Sequence, residues 1–128
     1  MRHTVRLHTV IIGHSDLEHA ESDVRRAWGA FRAGVGYELV QPVFRLFSGA
    51  VSRDGVTHDQ ALLERYYKAR DRLHLELIDG DGNAIETTTI HIIDYSSGDG
   101  RPDDVELDVL ISDDAYWMRR QKEESTPA

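Results

Sequence analysis

Leu73-His74-Leu75-Glu76-Leu77-Ile78-Asp79-Gly80-Asp81-Gly82-Asn83-Ala84-Ile85, with Val105-Glu106-Leu107-Asp108-Val109-Leu110-Ile111 further on, decides the fold class. Leu73, Leu75 and Leu77 alternate with His74 and Glu76, the period of a strand with one buried face. Asp79-Gly80-Asp81-Gly82-Asn83 supplies residues that tolerate the backbone angles of a tight turn, so a hairpin is expected. Its return strand runs from Ile85 to Tyr95. There Ile85 and Thr87 share a phase with Ile93, whereas Ile90 and Ile92 lie on the other. Such a strand is either buried on both faces or reset by a bulge in Thr87-Thr88-Thr89, and both readings make it central. Val105, Leu107, Val109 and Ile111 then predict a third strand over 104–112, with Glu106 and Asp108 pointing away from the core.

Working outward, Thr57-His58-Asp59-Gln60 fits a capping box ahead of a helix over 59–72, whose apolar stripe is Leu62, Leu63, Tyr66 and Tyr67. Arg65, Lys68, Arg70 and Arg72 crowd its carbonyl end, where cations are favoured. Residues 3–12 alternate and are rich in β-branched side chains, which predicts a strand ended by Gly13-His14-Ser15. Ser15-Asp16-Leu17-Glu18 fits a second capping box. Leu17, Ala20, Val24, Ala27, Trp28 and Phe31 follow at helical spacing, so a helix is expected over 16–32. A rival reading makes Trp28–Arg32 a strand and leaves 15–26 as loop. Residues 37–48 read as extended, with Pro42 at an edge or a bulge because it has no amide to donate.

The expected fold is therefore α+β: one domain over 1–120, a mostly antiparallel sheet with two helices, and a flexible tail at 121–128. The alternative is a β-sandwich with one main helix. Leu62, Tyr66, Leu75, Leu77, Ile90, Leu107, Val109 and Trp117 are the expected core, with Tyr116-Trp117-Met118 closing it.

Composition narrows the function classes. Apolar residues at 40% and charged ones at 30% describe a globular chain able to bury a core without staples. There is no cysteine, which removes disulfides, thiolate metal sites and a cysteine nucleophile, and suits a reducing cytoplasm. Arg6 and His8 interrupt the apolar start as a signal peptide would not allow, and the longest apolar run is Ala115–Met118, too short for a membrane span. Residues 1–72 hold 11 basic and 9 acidic side chains, whereas 73–128 hold 4 and 14. That asymmetry argues against a nucleic-acid backbone as ligand and for a basic protein partner.

The motifs that would carry chemistry are incomplete. Asp79, Asp81 and Asn83 match the start of an EF-hand loop, but Ala84 stands where glycine is needed and Ile90 where a bidentate glutamate belongs. On the expected first helix Asp16, His19 and Asp23 fall within about 60° of one another, a lesser metal-site reading beside that of an exposed flank. No nucleophile elbow and no phosphate-cradling glycine loop occurs in the sequence. Glu76, Glu106 and Asp108 are expected on the outer sheet face, near His74 and His91. Facing carboxylates can supply a general acid, but on a sheet face they more often meet solvent or a partner. The reading is a small acidic cytoplasmic module that binds a protein through His74, Glu76, His91, Glu106 and Asp108, without cofactor, metal or catalysis. A small metal binder or hydrolase built on His, Asp and Glu groups is the alternative.

Overall fold

The computed structural model describes residues 2–52, 55–56, 58–95 and 105–125. Its strands are β1 (His3–Leu7), β2 (Val10–Ser15), β3 (His19–Glu21), β4 (Arg26–Ala30), β5 (Arg32–Ala33), β6 (Glu76–Ile78), β7 (Ala84–Ile85), β8 (Thr87–Asp94) and β9 (Val105–Ile111). The α-helices are α1 (Gln41–Ala50), α2 (Gln60–Leu73) and α3 (Asp114–Ser125). The strands form two antiparallel sheets, in the orders β5-β2-β1-β6-β7 and β3-β4-β9-β8. Val5, Ile12 and Leu77 of the first sheet join Ala27, Ile92, Leu107 and Val109 of the second in one core, which Phe44, Tyr66 and Trp117 of the helices complete. The chain is thus a single-domain α+β fold.

Six of the eight expected core residues are buried, Leu62 and Leu75 being half-buried. Strand β9 and helix α2 lie where the sequence puts them. The cap of α2 is Asp59, whose carboxylate accepts from the Leu62 amide at 3.2 Å. The turn after β6 is a hairpin closed by Asp79, whose Oδ1 accepts from the Asp81 and Asn83 amides at 2.9 Å each, with Gly82 at φ +87.

The return arm of that hairpin departs from expectation. β7 pairs with β6 in the first sheet, and the chain then crosses at Glu86 into the second sheet, where β8 pairs with β9. Glu86 is held at the crossing: its amide donates to Asp113 and its carbonyl accepts from the Ser112 amide at 3.1 Å. The mixed phase of Ile85 and Ile90 follows from this change of sheet, together with a register shift between Thr87 and Thr89. β8 is consequently not central. It ends its sheet, and α1 packs beside it.

The expected helix over 16–32 is not formed; β3, a 3₁₀ turn at Ser22–Val24, β4 and β5 occupy it. Leu17 and Arg25 take left-handed backbone angles, φ 44 and 58, which interrupt any helix. The polar groups read as a capping box serve other amides: Ser15 Oγ accepts from Leu17 N at 3.1 Å and Glu18 from Ala30 N at 3.1 Å. The rival strand reading of Trp28–Arg32 is nearer, although β3 lies in its supposed loop. The single strand 3–12 is instead a hairpin that turns at His8, φ 54, and Gly13 lies inside β2. Residues 37–48 are helical for most of their length. Pro42 sits in the first turn of α1, where its missing amide costs nothing. Finally, α3 runs through Ser125, so five of the residues assigned to the tail are helical; 126–128 lie outside the described residues. Tyr116 and Trp117 do close the core, with Trp117 Nε1 donating to the Ile111 carbonyl at 2.8 Å, but Met118 is exposed.

Candidate functional site

Strand alternation gives the second sheet an outer face of Thr89, His91 and Ile93 from β8, Glu106, Asp108 and Leu110 from β9, and Arg26 and Trp28 from β4. Register sets His91 beside Asp108 and Asp108 beside Trp28. Arg26 donates to Asp108 through Nε and Nη2 at 3.0 and 2.7 Å, a bidentate pair that raises the guanidinium pKa further. The same guanidinium lies 4.1 Å over the Trp28 ring, and His19 stacks on Trp28 with centroids 5.5 Å apart.

Helix α2 walls one side of this face. The Tyr66 hydroxyl hydrogen-bonds His91 Nδ1, the Phe47 ring lies 4.5 Å from the imidazole, and Arg70 spans Tyr66 and Tyr67 at 5.3 and 5.1 Å. Between them is a slot of about 280 Å³. Burial pushes the His91 imidazole down to about 4, against the pull of Asp108, so it is neutral near pH 7. Burial also raises the Tyr66 hydroxyl. Glu106 is raised by burial first and by Asp108 second.

Of the five expected site residues, three meet here: His91, Glu106 and Asp108. Glu76 belongs to the other sheet and pairs with Arg6 at 2.8 Å. His74 sits in a left-handed conformation at the end of α2 and lines a separate polar trough with Arg70 and Thr87–Thr89. Nor is the face a row of solvated acids, since Asp108 is only 18% exposed and held by Arg26. Sequence reading missed Arg26 and Trp28 because they were assigned to a helix. The signal was present: Arg26, Trp28 and Ala30 alternate with Ala27 and Gly29 at strand period.

Acid gathers elsewhere. A groove of about 360 Å³ is lined by Asp16, Glu18, Asp79, Asp81, Glu123 and Glu124, with Arg119 and Arg120 as its cations. Both are engaged: Arg119 lies 3.9 Å from Asp79, and Arg120 binds Glu124 at 3.2 Å, the Tyr116 hydroxyl at 2.9 Å and the Leu17 carbonyl at 2.8 Å. Backbone amides of Asn83 and Asp81 hold the Asp79 carboxyl below its usual range. Asp81 and Glu123 have no ion-pair partner among the described residues.

Without a helix over 16–32, Asp16 falls in the β2–β3 connection, His19 on β3 and Asp23 in the 3₁₀ turn. Among the described residues no group of three or more His, Asp or Glu is placed to hold a metal. A second acidic stretch of the sequence, with Asp99, Asp103 and Asp104, lies outside the described residues. No helix among the described residues is long and apolar enough to cross a membrane. Comparison with protein-family models, with curated proteins and with solved structures finds no match to this chain.

Proposed function

We propose that this chain is a non-catalytic binding module that docks a basic protein segment in the groove between the β6–β7 turn, the β2–β3 connection and α3. The observation that carries the reading is the convergence of six carboxylates on one concave surface, lined among the described residues by two guanidinium groups, with a third, Arg32, paired to Asp16 at 3.4 Å. The acid of the second half of the sequence contributes four of the six, and the fold adds Asp16 and Glu18 from the near-neutral first half. Because Arg119 and Arg120 are engaged by protein groups, Asp81 and Glu123 are left to meet an incoming cation. Such a surface steers a basic partner and sets specificity more than it sets affinity. The cysteine-free sequence suits a reducing cytoplasm, where this reading places the protein.

The test is fluorescence anisotropy with a labelled Lys/Arg-rich peptide at low and at physiological salt. Wild-type protein should bind it with an affinity that falls as salt rises, since exposed charges are screened beyond about 8 Å at physiological ionic strength. Asp81→Lys with Glu123→Lys should weaken binding by on the order of tenfold at low salt, with the difference shrinking at high salt. Equal affinity of wild type and double variant would remove the groove from the reading. Loss only on Glu106→Lys would return it to the outer face of the second sheet.

A further inference from the structure

Arg70 is the observation that the docking groove leaves unexplained. Its side chain is 17% exposed, lies over the Tyr66 and Tyr67 rings and hydrogen-bonds the Tyr66 hydroxyl. Yet the only carboxylate paired with it among the described residues is Asp71, at 3.5 Å and itself 70% exposed. Arg26, on the other side of the slot, is paired with Asp108 through Nε and Nη2. A largely buried cation with so loose a counter-ion stands where an anion gains most, because desolvated charge is costly until it is paired. Arg70 reaches both the slot and the polar trough beside it.

The remaining slot groups define the anion. His91 Nδ1 is taken by the Tyr66 hydroxyl, and Nε2 makes no hydrogen bond among the described residues. In the tautomer where Tyr66 donates to Nδ1, Nε2 carries the proton and is a neutral donor. Phe47, Tyr67 and Leu110 supply apolar and aromatic walls. A cavity of about 150 Å³ already admits benzene, so 280 Å³ has room for one ring and a carboxylate.

We infer that the slot between α2 and the outer face of the second sheet is a binding site for a small aromatic carboxylate, its ring against Tyr67 and Leu110 and its carboxylate between Arg70 and His91. Arg70 supplies charge and His91 Nε2–H a directed hydrogen bond. Arg26, paired with Asp108 at 2.7 Å, offsets the carboxylate charge that the ligand would meet. The site is independent of the acidic groove.

Benzoate is the probe, titrated into labelled protein while the His91 imidazole and Tyr67 ring signals are followed by NMR, with acetate and benzamide alongside. Benzoate should shift both signals saturably and bind more tightly than either control. Arg70→Gln should weaken benzoate roughly ten- to hundredfold, as expected when a charged hydrogen-bond donor is lost. Leu110→Trp, at the slot mouth, should block benzoate without touching Arg70, and so tests the site if the Arg70 variant is unstable. Asp81→Lys with Glu123→Lys should bind benzoate as wild type does, which separates this site from the docking reading. His91 signals that do not move with benzoate, or undiminished binding by the Leu110→Trp variant, would overturn the assignment.

Discussion

At the scale of single residues, polar groups are held where burial would otherwise be unfavourable. Asp94, at the end of β8, accepts from the Tyr37 hydroxyl at 2.7 Å and from Gln41 Nε2 at 3.2 Å, with Arg45 at 4.0 Å. This ties the start of α1 to the second sheet, and burial raises the Tyr37 hydroxyl pKa beyond its ordinary value. His91 makes burial measurable. Its imidazole titrates near 4 in the fold and near 6.5 when free. Between those values the unfolded chain binds more protons, so stability rises with pH. The contribution is complete above about 6.5 and is lost as pH falls toward 4, on the order of 3 kcal/mol in all. Urea unfolding between pH 4.5 and 7.5 should show that slope, and His91→Phe should flatten it. An equal slope in the variant would mean that the imidazole is not held neutral.

Elements reveal a different constraint, the distance at which strands approach. Gly13 pairs with Val5 on one side and Ala33 on the other. A Cβ there would lie 2.3 Å from Phe31 Cζ and 2.6 Å from the Arg32 carbonyl oxygen. The second of these is backbone and cannot rotate aside. Gly13→Ala should therefore force β2 and β5 apart and lower stability by about 1–3 kcal/mol, as overpacking does. Gly49, in the last turn of α1, is the comparison: its nearest contact would be Leu62 Cδ2 at 3.5 Å. Alanine there should be neutral or stabilising by up to about 1 kcal/mol, because glycine is the poorer helix former. Thermal unfolding of the two variants side by side reads the difference. A Gly13→Ala protein as stable as wild type would show that the two strands are not in close contact.

For the whole molecule, β9 joins the parts. It bonds β8 on one side and β4 on the other, and Leu107, with no exposed surface, lies between Ile92 and Gly29. Arg26 and Asp108, 82 positions apart, meet through it. Leu107→Ala removes packing from the centre of the common core and should cost about 2–5 kcal/mol, the range for truncating a buried leucine. A urea midpoint unchanged by the substitution would show that β9 is not the central strand of its sheet.

By itself the sequence determined the elements whose local pattern and burial agree. These are β9 with its strict alternation, α2 with Tyr66 buried although Tyr67 of its stripe is exposed, and the turn at Asp79–Asn83. It also determined the charge asymmetry that marks the acidic groove. Tertiary structure alone decided which strands pair. The passage of the return arm from one sheet to the other at Glu86 leaves only a phase change in the sequence, open to two explanations. Over 16–33 the helical spacing of Leu17, Ala27 and Phe31 arises by coincidence from separate short strands. The shorter alternation of Arg26–Ala30 prevails because β4 finds its partner in β9, far along the chain. Pro42 is compatible with an edge strand or a first helical turn, and packing of α1 beside β8 and α2 selects the helix. The same non-local pairing assembles Arg26, Asp108, His91 and Tyr66. Periodicity records which face of a segment is buried, and only long-range contacts decide what covers it.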